Sequence, residues 1–285
     1  MSKFHDRRAA FRERTEQGVK EREKTGGRFS CLNLAKIEGI NFFKPTSDKK
    51  HRNEIDIIPF LATQDWISKM RSFNGAVLGI NPGDMLYKLE VPGHPRIGSE
   101  ERTFLCLKAA FGKSCPICNE REALKENQDA DEDLIKSLYP KWRVFYNVKD
   151  RNEEEKEKRR KVWDAPYHSF EKFFLEEADM GEDGIVIFAD PEEGKTIRFK
   201  GRKKNFSGRE YLEADSIEFL DRKKQYDDDD VKESISFDKY LKIPTYEEVE
   251  KAYLGLDDEK KSDKKRKEGS SEEEIEKVLG KRNKE

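Results

Sequence analysis

Four potential metal ligands crowd into one short stretch of this sequence: His94, Cys106, Cys115 and Cys118, spaced His-x11-Cys-x8-Cys-x2-Cys. Zinc favours four tetrahedral nitrogen and sulfur donors in closed structural sites, and a two-residue gap lets two thiolates grip one ion. Three thiolates and one neutral imidazole complete such a shell and leave no position for a catalytic water. The pattern therefore predicts one structural Zn2+, and it ties the order of residues 92–125 to the ion, because the ligands must be gathered and deprotonated. For Cys115-Pro116-Ile117-Cys118 alone a redox pair or a chance cluster of thiols would compete. The third cysteine and the histidine just upstream, with no βαβ pattern around the pair, favour the metal. Cys31 reads as an ordinary buried thiol, and His51 lies too far off in sequence to be a preferred ligand.

Around this cluster the chain is poor in core-forming residues. Only 34% of residues are hydrophobic and 41% are charged, against about 25% charged in an average soluble domain. Ordering a residue costs roughly 1–2 kcal/mol, so part of the length is expected to pack and the charged ends to stay outside. The expected division is a basic N-terminal arm over 1–28, a core over 29–254 holding the zinc subdomain at about 85–125, and a charged C-terminal segment over 255–285. The last is predicted to be disordered or transiently helical, with Ile275, Val278 and Leu279 among its few apolar residues. No run approaches the roughly 20 apolar residues that span a bilayer. The N-terminus lacks the apolar stretch of a signal peptide. The expectation is a cytoplasmic, reducing location and no membrane partner, where cysteines serve metal before disulfides.

Short apolar runs between charged segments predict a mainly β chain. Strand-like pieces are Glu54–Leu61, with Pro59 marking an edge or bulge, Met85–Val91, Trp142–Val148, Ile185–Phe188, Thr196–Lys200 and Ser216–Leu220. A charged helical piece carries Leu124, Leu134 and Leu138, residues 150–161 form a solvated hairpin loop, and Asp164-Ala165-Pro166 reads as a helix start. Phe170, Phe173 and Phe174 then fall at helical spacing on one buried face. Several short strands, one insertion and few helices fit a small barrel better than a parallel α/β sheet.

The formal net charge is only −2, but the charge is segregated. Residues 1–28 hold nine Lys or Arg against five acids, and residues 195–209 hold seven Lys or Arg and no acid. Single strands of nucleic acid are bound by positive grooves for phosphates and aromatic platforms for bases. Two stretches combine both. In Lys141–Tyr146, alternation sets Trp142 and Tyr146 on one face and Arg143 and Phe145 on the other; Phe145 is expected in the core, while Trp142 serves either as a platform or as an anchor. In the second stretch Phe199 and Phe206 punctuate Lys195, Arg198, Lys200, Arg202, Lys203, Lys204 and Arg209, and Arg202–Arg209 has loop character. No phosphate-cradling glycine loop, His-Glu-x-x-His or nucleophile-elbow serine is present, so the chain is read as a binding protein and not an enzyme. A metal-dependent nuclease hidden among the many acids is the least favoured alternative, and a zinc-ribbon module contacting replication or transcription machinery is the main one.

Taken in order, these motifs resemble the single-stranded DNA-binding, or helix-destabilising, proteins of T-even-type phages. Glu54–Leu61 is similar to that family's first core strand, and His94, Cys106, Cys115, Pro116 and Cys118 to its zinc ligands and knuckle, with gaps a residue shorter. Trp142 through Val148-Lys149-Asp150 is similar to its aromatic strand, and Phe206-Ser207 with Tyr211 to a late DNA-contacting stretch. The resemblance spans roughly residues 50–220. It implies an OB-fold core carrying a zinc-bearing subdomain, a cleft between them for single-stranded DNA, and a role in phage replication, recombination and repair within the host cytoplasm. Trp142 and Phe206 would stack on bases. The residues from both readings together are Trp142, Arg143, Tyr146, Arg198, Phe199, Arg202, Lys203, Lys204, Phe206, Arg209 and Tyr211. The family uses a basic N-terminal arm for cooperative contact with the next protomer and an acidic tail for replication partners. Here residues 256–285 hold ten acids and ten bases, and so depart from that tail.

Overall fold

The computed structural model describes residues 31–34, 37, 40–48, 50–71, 80–98, 101–127, 129–153, 160–180, 186–206 and 209–256, the side chains of Phe206 and Arg209 excepted. The basic arm 1–28, the segment from 257, Ile185 and residues 207–208 lie outside the described residues.

The chain is mainly β with some helix, built on a mixed sheet. Its central strand, β7 (Lys141–Asp150), lies against β8 (Arg160–Pro166) along one edge. Along the other edge its first half meets β5 (Leu89–Ile97) and its second half meets β2 (Asn53–Ile58). The order β1-β8-β7-β2-β9-β10 continues outward through β1 (Asn41–Phe42), β9 (Lys195–Phe206) and β10 (Arg209–Asp221). β6 (Arg102–Leu105) extends β5 on its far side. Only β1 with β8 is parallel; among the described residues no ladder joins β10 back to β1, so these strands form an open path and not a hydrogen-bonded closed barrel.

Both faces of β7 are covered at its middle, which explains the continuous apolar run Val144-Phe145-Tyr146. Val144, Tyr146 and Val148 point into one core with Ile55, Ile57, Trp163, Ile197 and Phe199. Phe145 points into another with Phe60, Leu89, Val91 and Phe237. The first core is closed by a π-helical turn at Tyr167–Glu171 running into α4 (Lys172–Asp179), which brings Phe170 and Phe174 down on the sheet. Burying each phenylalanine ring there contributes roughly 1.5–3 kcal/mol.

Several sequence expectations change once strands find partners. The first run divides at Pro59 into β2 and the short β3 (Phe60–Leu61), which pairs with β4 (Met85–Leu86). Asp164 does not start a helix: Arg143 holds its carboxylate at 2.6 Å and its carbonyl at 2.7 Å, and Ala165 pairs with Val144, so β8 runs through Pro166. Cross-strand pairing outweighs the local capping preference. Val186–Phe188 is not a strand; Val186 caps the preceding helix by donating to the Ala178 carbonyl, and Phe188 folds inward. Arg202–Phe206 is not a loop, because β9 continues through it paired with β10, which also absorbs the strand expected at Ser216–Leu220. Asp227 caps α5 (Asp228–Lys232), so the Asp227–Asp230 run is a helix N-terminus, where negative charge is favoured.

Among the described residues no helix is long and apolar enough to cross a membrane.

Candidate metal centre and nucleic-acid face

The chain between β5 and β7 forms a small module of its own. β5 leaves the sheet after Gly93, β6 returns, and three helices follow: α1 (Leu107–Phe111), α2 (Pro116–Glu126) and α3 (Glu132–Ser137). His94 stands on β5, Cys106 caps α1, Cys115 precedes α2 with Pro116 in its first turn, and Cys118 lies within that turn. The four residues are buried, and their donor atoms all lie within 4.8 Å of one another, so the cluster could hold a metal ion. His94 Nε2 is 3.5 Å from Cys115 Sγ and 3.6 Å from Cys118 Sγ, and the Cys106 and Cys118 sulfurs are 3.5 Å apart. Tetrahedral bonds of about 2.0–2.3 Å place donors roughly 3.5–3.8 Å apart, so the set fits a four-coordinate ion.

The surroundings fit as well. His94 Nδ1 lies 3.0 Å from the Leu138 carbonyl, a contact that makes Nδ1 the protonated nitrogen and leaves Nε2 free to ligate. The Ala109 amide donates to Cys106 Sγ at 3.4 Å. The Cys115 thiolate accepts from Cys106 and Cys118, which holds its pKa well below the ordinary thiol range, while sharing with Cys115 pushes Cys106 far above it. Three thiolates gathered this closely would need a dication among them to offset their mutual repulsion. Cys31 stands elsewhere, buried against Leu32 and Phe237, and His51 is exposed beside Asp48.

Leu138, just after α3, shares a core with the three cysteines, and so do Val249 and Ala252 of α6 (Tyr246–Tyr253), more than 100 residues further along the chain. The sequence reading missed that helix, whose local signal is the Thr245 and Glu248 capping box that starts it.

The nucleic-acid candidates separate into three groups. Tyr146 is fully buried and Phe199 is 2% exposed. Phe199 stacks on Trp163 with ring centroids 5.7 Å apart, so both leave the set of stacking platforms and belong to the core. Physically, a strand covered on both faces has no outer face to offer.

The second group is cationic but neutralised. Arg143 is held by Asp164, and Arg198 pairs with Glu54 at 2.7 Å and with Glu218. Across the β9–β10 hairpin Arg202 pairs with Asp215, Lys203 with Glu210 at 3.3 Å and Lys204 with Glu213 at 3.4 Å. The acid-free stretch of sequence thus faces an acid-rich strand, and the two strands together carry seven bases and five acids.

The third group stays available: Trp142 is half-buried and Tyr211 is 40% exposed. Trp142 pairs with Pro92, whose carbonyl accepts from the Cys106 amide at 2.9 Å. It therefore stands where the sheet meets the metal module, beside exposed Lys141. The side chains of Phe206 and Arg209 lie outside the described residues.

Compared with known protein families and with characterised proteins, the chain matches no family model and no characterised sequence.

Proposed function

We propose that this protein binds single-stranded DNA with little sequence preference, as a non-enzymatic coating protein of the T-even helix-destabilising kind, and that its metal is one structural Zn2+. The observation that carries the reading is Trp142: a half-buried indole at the junction of a β core and a Cys3His module, flanked by Lys141. An aromatic platform beside cations is how single strands are held without base readout, at about 1–3 kcal/mol per stacked base. On this reading the sheet around β7 is the OB-like core, the metal fixes one wall of the cleft, and Trp142 and Tyr211 stack on bases. Residues 1–28 make cooperative contacts with the next protomer, and phage replication proteins in the host cytoplasm are the protein partners. The zinc fixes geometry and supplies no chemistry to a substrate.

The ion pairs of the β9–β10 hairpin favour a second reading. With Arg202, Lys203 and Lys204 tied to acids, less positive charge is free for phosphates, as suits a zinc module that contacts replication or transcription proteins. Fluorescence titration with oligo-dT and with matched duplex separates the two. DNA coating predicts tight oligo-dT binding with Trp quenching, much weaker duplex binding, and loss of most of the quenching in Trp142→Phe. Equal, feeble binding to both nucleic acids refutes it in favour of the protein-contact module.

A further inference from the structure

We infer that α6 is the closing wall of the metal module, so that metal occupancy and docking of this C-terminal helix are one coupled equilibrium. The inference rests on the metal reading and is independent of what the protein binds. Val249 is fully buried and Ala252 is 2% exposed, and both share a core with Cys106, Cys115, Cys118 and Ile117. Tyr253 packs partly buried on the same cluster. The residues on the opposite side of the helix, Glu247, Lys251 and Leu254, are exposed. The apolar face of α6 thus meets the knuckle, and the knuckle holds its shape only while its four donors are gathered.

A close backbone approach supports this. Gly98, at the turn between β5 and β6, has φ +72°, and a Cβ placed there would stand 2.7 Å from the Ala252 carbonyl oxygen. The glycine lets the turn four residues after His94 lie directly against the end of α6. When the metal leaves, nothing gathers the four donors, the surface under Val249 and Ala252 loosens, and α6 loses its seat. Because coupling between two equilibria is reciprocal, loosening α6 must weaken metal binding by the same factor.

Hydrogen exchange on the full chain, loaded with stoichiometric zinc and then stripped by a chelator, tests the coupling. The expected result is that peptides covering 106–118 and 246–253 accelerate together, by about tenfold or more, while β2, β7 and β8 stay protected. Competition with a chromogenic chelator then compares wild type with Val249→Asp and Gly98→Ala, and both variants should bind zinc more weakly by a similar factor. A chain that takes up no zinc overturns the metal reading and the coupling with it. Zinc uptake followed by an α6 that stays protected after stripping overturns the coupling alone. So does loss of protection across β7 and β8 in the same step, since the ion would then hold the whole fold. The stripping arm uses no substitution and decides the matter even where a variant fails to fold.

Discussion

Replacing Glu210, Glu213 and Asp215 by Gln, Gln and Asn asks whether the hairpin faces DNA. These acids neutralise Lys203, Lys204 and Arg202 across β9 and β10. The pairs are solvent-exposed, with the lysine and arginine side chains 41–62% accessible. Exposed pairs contribute about 0–1 kcal/mol each, so the fold should persist. Each freed cation that meets a phosphate steepens the dependence of log K on log salt by about 0.7 for a single strand. Three cations steepen it by about 2, which makes the variant's affinity fall roughly 15- to 20-fold more than the wild type's between about 50 and 200 mM salt. Oligo-dT titrations at four salt concentrations measure both slopes. A variant that binds oligo-dT with the wild-type slope refutes the placement of this hairpin along the strand, while leaving the Trp142 platform untouched. A steeper slope accompanied by tighter low-salt binding supports it.

Two further outcomes follow from the geometry. Chelated, native protein treated with iodoacetamide at about pH 8, near the ordinary thiol pKa, should gain three alkyl groups and not four. The three cluster thiols lie in the segment that stripping opens, whereas Cys31 stays in the β core at 2% exposure, where burial pushes its thiol far above the usual range; mass spectrometry showing Cys31 labelled as fast as the cluster would contradict this. Asn147 is fully buried and bonds both the amide and the carbonyl of Ile235 at 3.0 Å. Asn147→Leu strands two backbone groups, at about 1–3 kcal/mol each, and should lower the urea midpoint clearly; an unchanged midpoint would show that the 234–237 segment finds other partners.

The Cys3His cluster was legible in the sequence because thiolate chemistry is specific and its spacing is local. Four donors within a short stretch need only one strand and two helix starts to converge. The core positions of Phe145, Phe170 and Phe174 were legible for a similar reason, since periodicity records which face is apolar. What periodicity does not record is how many faces are covered. Trp142 and Tyr146 share a face in sequence, yet one lies at the end of β7 beside Pro92 and the other at its middle under Trp163 and Tyr87. Only the sheet distinguishes them. The same holds for charge: Lys195–Arg209 is acid-free along the chain, but electrostatics acts through space, and β10 lays Glu210, Glu213 and Asp215 against it. The helix that closes the metal module is the last such case. Its capping box is local and readable, whereas its seat on Cys115 and Cys118 depends on contacts between residues more than 100 positions apart, which no local pattern encodes. The candidate ligands, the apolar faces and the segregation of charge are written along the chain; which aromatics are covered, which charges are cancelled and which distant helix shares the cysteines' core follow only from the folded arrangement, because burial, Coulomb attraction and packing depend on distance in space.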